Sequence, residues 1–198
     1  MSHHVITYDP AMGRWEPDAA GRLRAAALDL YLEHGYEQAT VAQIAERAGV
    51  TARTFFRHFA DKREVLFAGS EILEQEMAAA LAASPAGASP LEAVAAALDA
   101  AAVLFGDNLA HSRRRQAVIA ANAELREREL IKMARLADAL TQGLRERGSA
   151  DAEARLAAEV GIAVFRTSYQ SWVDGPDGGD LGGVLRDSLA QVRGLTER

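Results

Sequence analysis

Apolar residues recur at the spacing of a helix face along most of the chain, and no useful stretch alternates as a strand would. This spacing holds over residues 18–34, and Gly35 ends it. Residues 1–17 instead mix His, Gly and two prolines without periodicity, which predicts a flexible N-terminal arm. We therefore predict an all-α protein whose folded part begins at about residue 18.

Two short helices are predicted after the first one. Thr40 and Gln43 form the pattern of a capping box at the start of the second helix, and Gly49 ends that helix. The third helix is predicted from Thr51 to about Phe59. The spacing thus predicts two helices joined by a tight turn that contains glycine.

The remaining apolar patterns bring the total to about nine helices. Asp61 is expected to cap a fourth helix that runs to about Leu81, where the sequence SPAGASP breaks the chain. Five more patterns follow this break, at residues 91–105, 109–121, 123–147, 151–173 and 181–195.

Composition agrees with a helical protein and indicates a cytoplasmic location. The chain is 49% hydrophobic, with an excess of alanine and leucine that favours helix. It has no cysteine, which excludes disulfides and thiolate zinc sites and suits a reducing compartment. Charges interrupt the apolar stretches well before the roughly 18 residues that suggest a membrane span, and the start lacks a signal-peptide pattern. We expect no membrane partner.

The net charge of -6 is unevenly distributed. Residues 14–67 carry eight basic and eight acidic side chains, whereas residues 68–198 carry fourteen and nineteen. No acidic residue lies between Glu46 and Asp61, a run that includes Arg47, Arg53 and Arg57. Because nucleic-acid binding needs local positive potential, this run is the part of the chain that suits a phosphate partner.

The same run has the organisation of a helix-turn-helix, which places its second helix in the major groove of DNA. Phe55 and Phe59 are predicted to be buried, which leaves the other faces of the third helix for DNA. Arg53 in its first turn can meet base edges, while Thr40 and Lys62 suit phosphate oxygens. The candidate DNA-binding residues are Thr40, Thr51, Ala52, Arg53, Thr54, Phe56, Arg57, His58 and Lys62. The alternative is an ordinary helical hairpin with solvated arginines.

The segment ALDLYLEHGYEQATVAQIAERAGVTARTFFRHFADKREVLF resembles the TetR-type bacterial transcriptional regulators. The similarity lies in the A-x-x-x-G-V-[ST] turn, the [FY]-x-HF end of the third helix and the DK pair that follows. It implies an N-terminal DNA-binding domain of three helices, a linking fourth helix, a C-terminal domain with a ligand pocket, and a homodimer formed by the last two helices. Where the family often has a tyrosine that touches a phosphate, this chain has Phe56.

Residues 18–67 are therefore assigned to DNA binding, and residues 68–198 to ligand binding and dimerisation. Apolar stripes on the last two helices suggest a four-helix interface between two chains. Its candidate residues are Leu156, Val160, Val164, Val184, Leu185, Leu189 and Val192. A mostly apolar ligand pocket has as candidates Phe105, Met133, Phe165, Tyr169 and Trp172. For both sets the alternative is that the side chains only fill the chain's own core.

Few other side chains suggest a binding or catalytic role. The sequence HSRRRQ, with Arg113, Arg114 and Arg115, could bind an anionic ligand, although a solvated helix face is the simpler interpretation. The histidines lack metalloprotease spacing and no serine lies in a nucleophile elbow. We therefore expect no catalytic site, no metal site and no cofactor.

The leading hypothesis is a ligand-responsive transcriptional regulator, most simply a repressor. It would bind an inverted-repeat operator in double-stranded DNA as a homodimer and be released by a small-molecule effector. The alternative is an all-α small-molecule-binding protein or enzyme with a vestigial helix-turn-helix. The presence of Arg53 and Lys62 favours the regulator.

Overall fold

The computed structural model describes residues 18–106, 108–177 and 179–196, so the arm expected over residues 1–17 lies outside the described part. Within that part the chain forms nine α-helices and no strand, as predicted. The helices are α1 (Ala19–His34), α2 (Val41–Arg47), α3 (Ala52–His58), α4 (Ser70–Ala83), α5 (Pro90–Phe105), α6 (Leu109–Ala121), α7 (Ala123–Glu146), α8 (Asp151–Asp174) and α9 (Leu181–Thr196).

Helices α1 to α3 form the N-terminal unit, and local signals set the turn between α2 and α3. The capping box is present: the Gln43 N–H donates to Thr40 Oγ1 (3.3 Å), and the Thr40 N–H donates to Gln43 Oε1 (2.9 Å). After α2, Gly49 takes a φ of 68°, and the Val50 N–H donates to the Ala45 carbonyl at 2.9 Å. This is the Schellman pattern of helix termination, and it fixes the direction in which α3 leaves.

The fourth predicted helix is wrong in one respect, because it does not run unbroken from Asp61. Asp61 Oδ1 accepts from the N–H groups of Arg63 (2.8 Å) and Glu64 (3.1 Å), and so caps a single 3-10 turn at Glu64–Phe67. Gly69 then takes a φ of 95°, which interrupts the helical backbone before α4 begins at Ser70. The N-terminal unit and the first helix of the larger bundle are therefore separated by a turn.

Helices α4, α5, α7, α8 and α9 share one apolar core. Gly161 of α8 allows a close approach to α5, because a Cβ added there would lie 2.3 Å from Val94 Cγ1. The hydroxyl groups of Ser168 and Ser188 are 2.8 Å apart and join α8 to α9. The small residue at position 161 thus serves the packing of α8 on α5 inside one chain.

The N-terminal core is completed by side chains from the larger bundle. Val118 and Ile119 near the end of α6, and Leu125 at the start of α7, are buried in the same cluster as Leu23 and Phe55. A displacement of α6 or α7 would therefore change the packing of the N-terminal unit.

No single α-helix within the described ranges is long and apolar enough to cross a membrane. Helices α5 and α6 reach that length and composition only as a pair, across a bend of 100°.

Candidate DNA-binding surface and effector cavity

Helix α3 has one buried face and one exposed face, as its sequence predicted. Phe55 is fully buried and Phe59 nearly so, and their ring centroids are 5.6 Å apart. Phe56 lies one position on, about 100° around the helix, and is 58% exposed. The exposed face carries no carboxylate, so its potential comes from Arg53 and Arg57.

The start of α3 is held by its own hydroxyl groups. Thr51 caps the helix, since its Oγ1 accepts from the Thr54 N–H at 3.2 Å, and the two threonine hydroxyl groups are 3.1 Å apart. Thr51, Ala52 and Arg53 are exposed, whereas Thr54 is partly covered. At the other end, Arg57 and His58 are exposed, with Arg57 Nη2 at 3.4 Å from His58 Nε2. Most of the candidate side chains on this helix thus face outward together.

Lys62 is directed inward, toward the loop between α1 and α2. Its ammonium donates to the carbonyl oxygens of Tyr36 (2.8 Å), Glu37 (3.2 Å) and Ala39 (3.2 Å). It also lies 4.3 Å from the centre of the Tyr36 ring, a cation–π distance. Because an ammonium has three N–H donors, this arrangement favours a role in positioning the N-terminal unit over the direct phosphate contact expected from the sequence.

Replacing Lys62 with methionine should therefore destabilise the protein and leave the electrostatic part of DNA binding unchanged. The variant keeps the apolar stem but loses the carbonyl contacts, which should reduce the free energy of unfolding by about 1 to 3 kcal/mol. Chemical denaturation measures this loss. The slope of log K against log salt on duplex DNA should stay as in the wild type. A slope reduced by about 1 with unchanged stability would instead indicate a lost phosphate contact.

Ionic contacts tie the 3-10 turn and Arg63, which precedes it, to α7. Glu64 accepts from Arg128 Nε at 2.5 Å and lies 3.5 Å from Lys132 Nζ. The hydrogen bond from Arg128, helped by Lys132, holds the pKa of Glu64 below its usual range. Nearby, Arg63 pairs with Glu124 at 3.0 Å. The largely buried pairs of Glu64 fix α7 against the 3-10 turn and keep Glu64 charged, whereas the Arg63–Glu124 pair is exposed.

A cavity of about 1290 Å³ lies between the N-terminal unit and the larger bundle. Its walls come from α1, the 3-10 turn, α4, α5, α6, α7 and α8, and it exceeds the usual size of small-molecule sites, about 300 to 1000 Å³. Among the candidates from the sequence, four line it: Phe105, Met133, Phe165 and Tyr169. The position of this cavity lets a bound molecule touch both parts of the chain.

Trp172 does not line the cavity, contrary to its candidacy. It is 2% exposed, and its indole Nε1–H donates to the Gly179 carbonyl at 2.7 Å. Its ring packs behind Phe105, with centroids 6.5 Å apart. Trp172 therefore supports the aromatic wall and the loop before α9.

Helix α6 supplies a polar wall of the cavity, of which the sequence suggested only the arginines of HSRRRQ. His111, Ser112, Arg115 and Gln116 all line it. Only the HSRRRQ sequence hinted at chemistry in this helix, and it did not show which of its side chains turn inward. The α6 helix thus brings polar groups to the cavity and apolar groups to the N-terminal core.

Three of the seven candidate interface residues are unavailable to a second chain. Val164, Leu185 and Leu189 are buried in the core of their own chain, because α8 and α9 pack on α5 with those faces. The candidates that remain at least partly exposed are Leu156, Val160, Val184 and Val192. Leu156 is the most open of them, at 67% exposed.

Helices α2 and α3 form a helix-turn-helix, and the exposed face of α3 carries no carboxylate. A helical bundle with a cavity follows them. Together these features are typical of DNA-binding transcriptional regulators. Residues 23–68 match the model of bacterial regulatory proteins of the tetR family. Residues 88–196 match the model of the MftR C-terminal domain, which spans more than half of the chain. The chain belongs to the TetR family of bacterial regulatory proteins, and is a DNA-binding transcriptional regulator.

Two relatives illustrate where the similarity lies. The chain is 49% identical over 74 residues to the HTH-type transcriptional regulator TcmR of Streptomyces glaucescens, an alignment that covers 37% of this chain and 33% of that relative. It is 28% identical over 191 residues to an uncharacterized HTH-type transcriptional regulator of Mycobacterium bovis, covering 94% and 95% of the two chains.

The fold is also found in solved structures. A TetR-family transcriptional regulator from Syntrophomonas wolfei superposes with a TM-score of 0.64 at 17% identity, covering 91% of this chain and 95% of that one. At this identity the likeness concerns the fold.

Proposed function

We propose that this regulator is a repressor that binds an inverted-repeat operator as a homodimer and leaves it when a small molecule occupies the cavity. The observation that carries the proposal is the exposed face of α3, where Arg53, Phe56 and Arg57 project beside a first turn that is free of carboxylates. Side chains in the first turn of a recognition helix are those that reach base edges.

The candidate residues divide into two roles in this proposal. Arg53 in the first turn reads a base, since a guanidinium can donate two hydrogen bonds to guanine in the major groove. Thr40, Thr51, Ala52, Thr54, Arg57 and His58 flank it and meet the backbone or neighbouring bases. Phe56 lies beside the sugar-phosphate backbone. It contacts the backbone only with its ring, because it has no hydroxyl to donate. Lys62 acts indirectly, by holding the α1–α2 loop.

The position of the cavity gives a way for a bound ligand to release the protein from its operator. A ligand shifts a conformational equilibrium only by its difference in affinity for the two states. The cavity is bordered by α1 and the 3-10 turn as well as by the larger bundle, so a ligand there favours one placement of α1 relative to α6. In a dimer, that placement sets the separation of the two α3 helices.

Selection of binding sites from random double-stranded DNA tests the DNA-binding part of the proposal. We expect an enriched inverted repeat whose half-sites are centred about one helical turn, 34 Å, or a multiple of it, apart. Enrichment of a single unsymmetrical site, or of none, would contradict a dimer on an operator.

The dimer is proposed to form through the exposed apolar residues of α8 and α9, chiefly Leu156 and Leu195. Leu156→Arg should weaken dimerisation by at least about tenfold, because burying an unpaired charge in an apolar interface is costly. Analytical ultracentrifugation at micromolar concentration measures this. The control is Leu32→Arg on α1, which is also exposed and should leave the dimer intact. Equal effects of the two variants would exclude this face.

A further inference from the structure

The three consecutive arginines of α6 make contacts with three different parts of the chain. Arg113 donates from Nε to the Val173 carbonyl at 2.8 Å and pairs with Asp177, beyond the end of α8. Arg114 pairs with Asp29 of α1. These arginines therefore have partners within the chain, although the side chains stay partly exposed.

Arg115 connects α6 to the turn that follows the DNA-binding helices. Its Nε donates to the Leu66 carbonyl at 2.8 Å, and its guanidinium lies 5.2 Å from the centre of the Phe67 ring. Its Nη1 is 3.4 Å from Glu129 of α7, a long contact that leaves the ion pair weak. Arg114 thus ties α6 to α1, and Arg115 ties it to the 3-10 turn; both arginines line the cavity.

The charge of the cavity is opposite to that of the chain. Seven Arg and Lys residues line it against four Asp and Glu among the described residues, whereas the whole chain has a net charge of -6. Arg24 of α1 is one of the seven, and it has no ion-pair partner in the described part of the chain. Two of the seven, Arg114 and Lys132, pair with Asp29 and Glu64 outside the lining, so the surplus of positive charge is smaller than this count but keeps its sign. A positive surplus favours anionic ligands.

Three of these cations lie near enough to His111 to lower its pKa. Burial lowers the pKa of His111, and the charges of Arg115, Arg114 and Arg24 lower it further. His111 also lines the cavity, so α1 and α6 place a cluster of positive charge at the border between the two units. We call Arg24, Arg114 and Arg115 the arginine cluster.

Another part of the cavity is aromatic and mostly apolar. Phe105 lies 5.2 Å from Tyr169 and 6.0 Å from Phe165, centre to centre, and the three rings form an apolar wall. Two polar atoms on the cavity lining are buried and have no partner among the described residues, Tyr169 OH and Gln116 Oε1. Buried polar atoms are rarely left without a partner, so Tyr169 and Gln116 are the lining residues whose polar groups a small rearrangement would bring to a ligand.

We propose that the cavity takes an amphipathic organic anion whose apolar body lies against the aromatic wall and whose anionic group binds the arginine cluster. This inference rests on the proposed function, because it names the chemical class of the effector. An anion at the cluster competes with Asp29 for Arg114, and with Glu129 and the Leu66 carbonyl for Arg115. The contacts that it weakens are those that tie α6 to α1 and to the 3-10 turn.

Four probes with the same twelve-carbon tail test the class of ligand. These are dodecanoate, dodecyl phosphate, dodecan-1-ol and dodecyltrimethylammonium, each titrated calorimetrically into the full-length protein below its micelle concentration. We expect at least one anion to bind about tenfold more tightly than the alcohol, and the cation to bind most weakly. The better of the two anions identifies the head group as carboxylate or phosphate. Equal affinities for alcohol and anions, or no binding of either anion, would overturn the inference.

A pair of variants tests where the anionic group lies. Arg24→Gln should reduce the affinity for the preferred anion about tenfold and leave that for the alcohol unchanged. The matched control is Arg155→Gln on α8, an exposed arginine that does not line the cavity. The NMR-measured pKa of His111 should also rise when the anion binds, since a nearby negative charge favours the protonated ring. An anion preference that survives Arg24→Gln, or a His111 pKa that does not move, would overturn this placement.

Operator release is measured separately on the selected DNA. Anion binding that leaves the protein on its operator would contradict the effector role in the proposed function, while the ligand class would stand. Release by the alcohol and the anion alike would support the effector role and overturn the ligand class.

Discussion

Replacing Phe55 with alanine should unfold the N-terminal unit under mild conditions and abolish operator binding. Phe55 is fully buried between α1 and α2, and truncating a buried phenylalanine to alanine costs about 3 to 5 kcal/mol. A loss of that size is a large part of the roughly 5 to 15 kcal/mol by which a typical domain is stable. Chemical denaturation followed by far-UV circular dichroism measures the loss.

The neighbouring phenylalanine supplies a matched control. Phe56 is 58% exposed and touches Phe55 only ring to ring, with centroids 5.4 Å apart. Phe56→Ala should therefore lower the free energy of unfolding by less than about 1 kcal/mol. A larger loss for Phe56→Ala than for Phe55→Ala would mean that the opposite face of α3 is buried.

Replacing Arg53 with alanine should weaken specific operator binding by about 1 to 3 kcal/mol and relax the preference at one base position of each half-site. Arg53 is exposed in the first turn of α3, and no ion pair within the described residues holds it. Its removal should therefore leave the fold unchanged. Fluorescence anisotropy with the selected operator and its single-base variants measures both effects.

Arg155→Ala is the control for the loss of one positive charge. Arg155 lies exposed on α8, away from α3, and its loss should change operator affinity little beyond the small long-range electrostatic effect. If Arg53→Ala instead weakened binding to all sequences equally, Arg53 would be a phosphate contact and another residue would read the base.

The sequence predicted α3 well because its signals are local. A helix repeats every 3.6 residues, so burial of Phe55 also buries Phe59 and exposes Phe56. The capping box at Thr40 and the left-handed glycine at position 49 likewise depend on neighbours within a few residues.

The break at Gly69 was missed because apolar residues before and after it keep helical spacing. Val65 and Leu66 fit the same periodic pattern as Leu73 and Met77, so periodicity alone does not show that the backbone changes conformation between them. A glycine inside such a pattern was the one local signal.

The orientation of Lys62 and the buried positions of Val164 and Leu185 could not be predicted for a different reason. The carbonyl groups that Lys62 binds lie more than twenty residues earlier, at Tyr36 to Ala39. The placement of α5 decides which apolar side of α8 and α9 faces the core of the same chain. The apolar stripes in the sequence do not contain that information. Tertiary contacts of this kind decide the roles of residues that look alike in the sequence.

Protection of guanine N7 from methylation on the selected operator is the most direct test of the central claim, that two α3 helices enter the major groove. We predict two symmetric clusters of protected guanines on one face of the duplex, separated by about one helical turn or a multiple of it. A single cluster, or no guanine protected in the major groove, would contradict the claim.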